Sequence, residues 1–593
     1  MRHRFGVPGG IRAARDLLLR LRLWLTARLW ALRASRPRRH LRAAVPGLRR
    51  VTFGPTRLYG RTVAGYTAAD AVEADLERVC TLLDGIGVPY FLVPADHGNG
   101  APRQVIGVPE PYRETILAQA GRRFAGTVGY VGAVGADGTV TTAALWADGK
   151  LPRPVRRATV LRTGVVRLGP KGQLLTGLET GCDLEFWRHG RDLGKDPAWL
   201  TVPGDRLPEV FGPALVAPRH NPVSEVLPVA AQRPAAVPVR RRSVPTFAAF
   251  AEPGIDEVRF PVDAVYTWVD GDDPDLAAKR RAHQALSDNP IAPRETGASR
   301  YTSHDELRYA LRSLEMYAGF VRHVYLVTDS QIPSWLDPTA EGLTVVDHRD
   351  ILPPDALPVF NSHAIESRLH HIPGLSEHYL YFNDDVFINR PVRAEHFFHG
   401  NGIARIPLSP LKLGVGTPHP LEPAPNSAGK NAREVISRFH GRHITHKSLH
   451  TPHPQLLSVM REMEDLSIEE LERTAYSRFR STTDVAPAST LHHHWAIATG
   501  RAVPADYRFR YVQLGTPDMH RRLSRLAAGE DVDFFCLNDV DTAPAERSAA
   551  RTAIEAFLDR KYPFPSHFET PPHTPLHAVP ELTRTSRRRD RVR

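Results

Sequence analysis

Cysteine is scarce in this chain: three in 593 residues, Cys80, Cys182 and Cys536, an odd number with no CxxC pair among them. That excludes a disulfide framework and a cysteine-based zinc knuckle, and it fits a reducing cytosol. Long apolar runs are missing as well. No stretch approaches the ~20 residues that cross a bilayer, and no signal peptide with a small-residue cleavage site is visible. Acidic residues are missing from one place in particular. Residues 1–50 hold 14 Arg, no Lys and one acid, Asp16, a net charge of +13 against +12 for the whole chain. The last ten residues, Arg584–Arg593, add six Arg and one Asp. The body between the two tails is therefore mildly acidic, the opposite of a fold built to grip nucleic acid, and no nucleic-acid partner is expected.

What is present is the composition of a globular protein, 42% hydrophobic and 24% charged, long enough for several cores. Residues 1–50 read as a basic amphipathic leader. Within it Leu17–Trp30 interleaves Leu and Trp with Arg, as an interfacial helix does when it lies on anionic headgroups; a cytoplasmic protein, peripheral at the inner face of the membrane, is the expectation. Residues 51–216 read as an N-terminal α/β accessory domain. Its pattern predicts helices over 69–83 and 111–122 and strands at Pro89–Val93, Gln104–Val108, Thr159–Arg162, Gly164–Leu168 and Cys182–Trp187. Residues 217–257 have linker composition, with six prolines between 217 and 245 and the triplet Arg240-Arg241-Arg242. A second, catalytic α/β domain follows over 258–572, and 573–593 is a basic tail.

In the second domain the apolar runs end in carboxylates. Phe260–Val269 leads into Asp270-Gly271-Asp272-Asp273, His323–Thr328 into Asp329, Leu343–Val346 into Asp347, and Tyr379–Phe382 into Asn383-Asp384-Asp385. Ser303-x-x-Glu306 reads as a capping box that opens an apolar helical face of Leu307, Leu311 and Leu314. Strands alternating with helices, with acids gathered at strand ends, predict a doubly wound, Rossmann-like or GT-A-like sheet with its ligand at the carboxyl edge.

Two adjacent carboxylates after a buried strand are costly unless a cation sits between them and a partner. Asn383, Asp384 and Asp385 offer the hard oxygens that suit Mg²⁺ or Mn²⁺ and, through the metal, a diphosphate. Upstream, Asn361 to Arg368 is rich in hydrogen-bonding groups. On one helix His363, Glu366 and His370 would share a face and could seat sugar hydroxyls or a general base. Fifteen of the 28 histidines fall between His363 and His494. His443-x-x-His446, His450-Thr-Pro-His453 and His492-His493-His494 match no standard zinc spacing. With Lys430, Arg433, Arg438, Arg478 and Arg480 they read instead as a polyanion-binding wall. A second Asn-Asp, Asn538-Asp539, closes another apolar run, Phe534–Leu537.

Four blocks, in order, resemble the Stealth proteins: VDAVYTWVDGDDP (262–274); SRYTSHDELRYALRSLEMYAGFVRHVYLVTDSQIPSWLD with VVDHRD (299–350); LPVFNSHAIESRLHHIPGLSEHYLYFNDDVFIN (357–389); and FCLNDVD (535–541). That family includes bacterial capsular and exopolysaccharide phosphotransferases and the eukaryotic lysosomal enzyme GlcNAc-1-phosphotransferase. The resemblance implies transfer of a sugar-1-phosphate from a nucleotide sugar, typically a UDP-hexose or UDP-HexNAc such as UDP-GlcNAc, to a hydroxyl of a cell-surface polysaccharide, with release of UMP. It implies Asp384, Asp385, Glu366, His363 and His520 as catalytic groups, with His363, His450 or His520 as the base. Asp270, Asp273, Glu306, Arg308, Arg312, Asn361, Ser362, His450, His453, Arg478, Arg480, Asn538 and Asp539 would line the substrates. Position 363 is His here where the eukaryotic members have Pro, so His363 is not a universal catalyst. Residues 1–250 lie outside the blocks and look like the extra N-terminal region of actinobacterial exopolysaccharide phosphotransferases. The rival expectations are a metal-dependent glycosyltransferase that attacks C1 and releases UDP, and a non-catalytic glycan-binding protein of polysaccharide assembly.

Overall fold

The computed structural model describes residues 35–95, 102–193, 211–284, 303–539 and 542–571. The Leu17–Trp30 segment and the basic C-terminal tail lie outside them. Among the described residues no helix is long and apolar enough to cross a membrane.

The N-terminal unit is built on an 11-stranded mixed sheet. Its central strand, Val160–Leu168, is buried along its whole length. The sequence pattern divides it at Gly164, but that glycine marks close approach rather than a break: a Cβ there would lie 3.0 Å from both Asp75 Oδ2 and Gly181 Cα. The buried Arg162 is neutralised by a two-pronged contact with Asp183 at 2.7 and 3.1 Å, the arrangement a buried charge requires. Helix α1 (Ala68–Gly85) is capped by Thr67, whose hydroxyl accepts from the Asp70 amide.

The Pro-rich stretch is not a free tether. Pro234–Val239 and Arg242–Phe247 pair as an antiparallel hairpin, and the pair forms a sheet of its own, where proline costs little because one side of each strand needs no ladder. Arg242 at its turn binds Glu77 of α1 at 2.7 Å and also Asp84, and Thr246 donates to the Leu92 carbonyl at 2.6 Å.

The second unit has a five-stranded sheet. In chain order its strands are β1 (Val262–Thr267), β2 (Val321–Thr328), β3 (Leu343–Asp347), β4 (His378–Asn383) and β5 (His453–Leu456). They lie in the order β3-β2-β1-β4-β5, the first four parallel and β5 antiparallel to β4. The class is thus α/β with several mixed sheets. Between β1 and β2 runs α2 (Glu306–Tyr317). Its apolar face, Leu307, Leu311 and Leu314, sits in one core with Tyr66, Ala68 and Ala71 of the N-terminal unit, and Tyr66 meets Tyr317 edge-on at 6.3 Å. The accessory unit therefore packs against the helix that presents Glu306.

Two local expectations change. The start of α2 is not a Ser303 capping box: Asp305 stands before the helix at φ +60°, with no side-chain cap, and Glu306 turns back to accept from the His304 amide at 2.6 Å. Helix α3 is only Ser362–Glu366, followed by a separate 3₁₀ turn Leu369–His371. His370 consequently leaves the face shared by His363 and Glu366 and binds Glu464 instead.

The basic and histidine-rich segment is not a polyanion wall either. Lys430 binds Glu422 at 2.8 Å, Arg438 binds Glu470 at 2.6 Å, and Arg433 and Arg478 donate to backbone carbonyls. His492 and His493 are wholly buried, and burial holds both well below the usual imidazole range. They are neutral packing groups: His492 faces the Leu456 backbone and His493 the Ser448 hydroxyl. His494 bonds the His446 carbonyl. The sequence could show that histidines were dense, but not that they pointed inward.

Candidate active site

The chain changes direction across the sheet between β1 and β4, and both strands deliver acids to that carboxyl edge. This is where an open α/β sheet offers a crevice. After β1, the Asp270–Asp273 turn is laced to Gln331 beyond β2. The Asp270 amide donates to Gln331 Oε1 at 3.0 Å, and Gln331 Nε2 donates to the Asp270 carbonyl at 3.0 Å and to Asp273 Oδ2 at 2.9 Å. Trp268, Asp272, Pro274, Ser330 and Ile332 complete an open pocket of about 490 Å³ around them.

After β4 the three residues of the Asn-Asp-Asp turn take different partners. Asn383 accepts from the Tyr381 hydroxyl at 2.9 Å and turns its amide toward His450 at 3.2 Å. Asp385 is held on both oxygens. His450 Nε2 lies 3.2 Å from Oδ1, while Asn538 and the Cys536 thiol donate to Oδ2 at 2.9 and 3.2 Å. The second Asn-Asp does reach the first, because the strand Phe534–Asn538 pairs with Val386–Ile388 just beyond the turn. Burial pushes the Asp385 carboxyl up, but His450 and the two donors outweigh it and hold it below the ordinary range.

Asp384 has no such help. Burial raises it, and Glu306 and Asp385 beside it raise it further, well above a normal carboxyl. Among the described residues no cationic side chain pairs with it. Glu306 is in a similar position: burial pushes it up to about 7, with Asp385 adding to the rise against the opposing pull of His304. His304 in turn lies 3.5 Å from Asp539, whose carboxylate raises it. Asp384 and Glu306 are the raised carboxyls of this cluster, and Asp385, His450 and Cys536 place their ligand atoms within 4.8 Å of one another, so these are the groups that could hold a cation.

On the other flank Glu366 is buried and pushed up to about 7 by that burial, although Arg480, the Ala488 amide and Tyr381 oppose the shift. Arg480 also donates to Ser362 at 3.0 Å. For His450, burial lowers the imidazole, but Asp385 more than compensates, so it sits above its ordinary value. His453, on β5, is fully buried and driven down to about 3 by burial, so its ring stacks on Tyr381 as a neutral wall.

The sequence-predicted residues thus separate. Asp384, Asp385, Glu306, Glu366, His450, Asn383, Asn538, Asp539 and Arg480 are brought together, with Asp270 and Asp273 on the adjoining turn. Arg308 and Arg312 are not free for substrate: both close on Glu569, at 2.7 and 2.6 Å, and Arg312 also donates to the Tyr562 carbonyl. Asn361 caps α3 and spends its amide on Asp484 and the Ser477 carbonyl. His363 is buried within α3. His520 is exposed on the helix Met519–Ala527 and makes no hydrogen bond to the carboxylates. His304 and Cys536 join the cluster without being singled out by the sequence; they stand two and three residues before a selected acid, in Ser-His-Asp-Glu and Cys-Leu-Asn-Asp.

All four Stealth protein conserved regions match this chain: region 1 over residues 260–282, region 2 over 300–406, region 3 over 449–497 and region 4 over 525–578. Two exopolysaccharide phosphotransferases of Streptomyces coelicolor are 42% and 38% identical to it, covering 84% and 85% of this chain and 82% and 91% of their own lengths. The exopolysaccharide phosphotransferase CpsY of Mycobacterium tuberculosis is 32% identical over 86% of this chain and 90% of its own. The 508 residues aligned with the first of these exceed the span of the four regions, so the likeness extends into the N-terminal unit. On these likenesses the chain belongs to the Stealth family and is a transferase of phosphorus-containing groups.

Proposed function

We propose that the chain transfers a sugar-1-phosphate from a nucleotide sugar to a hydroxyl of an exopolysaccharide, on a Rossmann-like or GT-A-like sheet, and releases the nucleoside monophosphate. The observation that carries this is the crowding of the buried, raised carboxyls Asp384 and Glu306 beside Asp385, which in turn holds His450. Such a cluster is unfavourable by itself and becomes favourable around a divalent cation bound to a diphosphate. Mg²⁺ or Mn²⁺ would be held by Asp384 and Glu306. When bound, it neutralises diphosphate charge as a Lewis acid.

The chain's own groups then divide the work. His450, raised by Asp385 and half exposed, accepts the proton of the acceptor hydroxyl as its oxygen attacks the phosphorus that carries the sugar. The bond that breaks joins that phosphorus to the oxygen bridging the two phosphates, so UMP leaves from a UDP donor and the sugar C1–O bond stays intact. Arg480 is placed to spread charge on the transferred group. Glu366, pushed up to about 7 by burial, can in its protonated form donate to a sugar or phosphate oxygen. The Asp270–Asp273 turn, with Trp268 and Ile332 in its pocket, is the remaining space for the donor. Of the three candidate bases His450 is the one that lies against Asp385, at 3.2 Å, which favours it.

The test is the nucleotide released. With a UDP-sugar and acceptor glycan, phosphotransfer yields UMP and a phosphodiester-linked product. UDP without UMP would overturn the proposal in favour of a glycosyltransferase, and no turnover with any nucleotide sugar would favour a binding protein.

A further inference from the structure

Away from the carboxylate cluster, two adjacent histidines converge on one carboxylate. His370 Nε2 lies 2.7 Å and His371 Nε2 2.9 Å from the same oxygen, Oε2, of Glu464. The three ligand atoms lie within 4.8 Å of one another. The two histidines close the 3₁₀ turn between α3 and β4, and Glu464 lies in the last turn of α4 (Leu457–Asp465). Both parts are held from outside. Arg322 binds the Gly374 carbonyl at 3.0 Å and Asp263 at 2.7 Å, which fixes the turn to the start of β1. The place is the amino end of β4, six residues before Asp384; at ~3.3 Å per residue that is roughly 20 Å from the active-site edge.

We propose that His370, His371 and Glu464 form a second metal site, for a transition ion of the Zn²⁺ class. Two imidazoles and one carboxylate are borderline donors that Zn²⁺ prefers and Mg²⁺ does not. Zn–N and Zn–O bonds of about 2.0–2.2 Å place tetrahedral ligands a little over 3 Å apart. The two histidine–carboxylate separations, 2.7 and 2.9 Å, need to open by roughly half an ångström to reach this, and the ligand atoms all lie within 4.8 Å of one another. Access exists as well: His371, Glu464, Asp350 and Asp465 line an open pocket of about 550 Å³, which leaves a fourth position to water. The cation already nearby does not fill the site. Arg368 lies 3.5 Å from the other oxygen, Oε1, and its closer partner is Glu472 at 2.7 Å. An ion here would tie α4 to the connection between α3, which carries Glu366, and β4, which carries the Asn-Asp-Asp turn.

The full-length chain without an affinity tag, stripped with chelator, is titrated with Zn²⁺ against a chromogenic indicator and separately with Co²⁺. One tight equivalent is expected, with a visible Co²⁺ absorption band and a rise of several degrees in Tm. His371→Ala and Glu464→Gln should each weaken that equivalent at least tenfold and abolish both the band and the Tm rise. His371 has a half-exposed side chain, so its variant is the one to rely on if changes at the buried His370 prevent folding; circular dichroism checks this. Asp385→Asn should keep the equivalent, since it touches only the catalytic cluster. Failure of wild type to bind Zn²⁺ above the level of scattered surface histidines, or full binding by His371→Ala, overturns the proposal. Loss of the equivalent in Asp385→Asn overturns the location. None of these outcomes depends on whether the phosphotransfer reading holds.

Discussion

Helix α2 presents two charged regions that differ in one respect. Its first and second turns offer Arg308 and Arg312, and these are matched: Glu569 lies between them at 2.7 and 2.6 Å. Its first residue, Glu306, is unmatched and faces Asp384 and Asp385. The matched trio joins α2 to a segment more than 250 residues later and serves the fold. The pair Glu306 and Asp384, both raised by burial and crowding while Asp385 is matched by His450, opposes the fold and has value only when something cationic arrives. Within one helix, charge balance separates architecture from chemistry.

The strongest way to break this comparison is to remove a charge from each side. Asp384→Ala should lower transfer by about 10³-fold or more, since it removes oxygens that hold the cation. It should leave unfolding stability unchanged or slightly increased, because it relieves like-charge crowding. Arg312→Ala should do the reverse on stability, costing on the order of 3 kcal/mol, because it takes the two-pronged partner from the buried Glu569 and leaves it Arg308 alone. Chemical denaturation beside a product assay separates the two, and a large stability loss in Asp384→Ala would end the distinction.

Glu366 sharpens it with an intermediate effect. Its carboxyl is pushed up to about 7 by burial, against an ordinary 4.5. The folded state therefore holds this proton more tightly than the unfolded one. Its stabilising contribution is complete below about pH 4.5 and is lost as the pH rises through 7. Glu366→Gln cannot ionise, so the stability of wild type relative to the variant should fall from pH 5 to pH 8, by roughly 3 kcal/mol at most. Parallel denaturation curves for the two proteins across that range would contradict the assignment.

The four parallel strands of the second sheet were legible because apolar runs ending in acids mark both an element and its exit, whereas β5, His453–Leu456, was not. Asp384 and Asp385 could be read for the same reason. The fate of Arg308 and Arg312 could not: a basic residue within two turns of Glu306 reads as a substrate contact until Glu569, 257 residues beyond Arg312, is seen against it. Capping at Ser303 failed because the Glu306 carboxylate took the His304 amide for itself. The histidines misled for a third reason, since a titratable residue shows its side-chain type in sequence but not whether burial has silenced it, as with His492 and His493. The Pro-rich hairpin was hidden because proline at a strand edge and proline in a linker have the same composition.

The smallest effect tests the comparison from outside the cluster. His450 and His520 both read as candidate bases in sequence, the first just inside conserved region 3 and the second just before region 4. In the fold His450 lies 3.2 Å from Asp385, whereas His520 is exposed on its helix with no bond to any acid of the site. If proximity to the unmatched charge is what makes a side chain catalytic, His450→Gln should lose about 10²-fold in transfer, the usual worth of a general base. His520→Ala should stay within about twofold in transfer and about 0.5 kcal/mol in stability, as surface changes do. Initial rates at saturating acceptor measure both. A tenfold loss in His520→Ala would mean that the helix Met519–Ala527 swings toward the carboxylates during turnover, and the division between matched and unmatched charge would then describe only the resting enzyme.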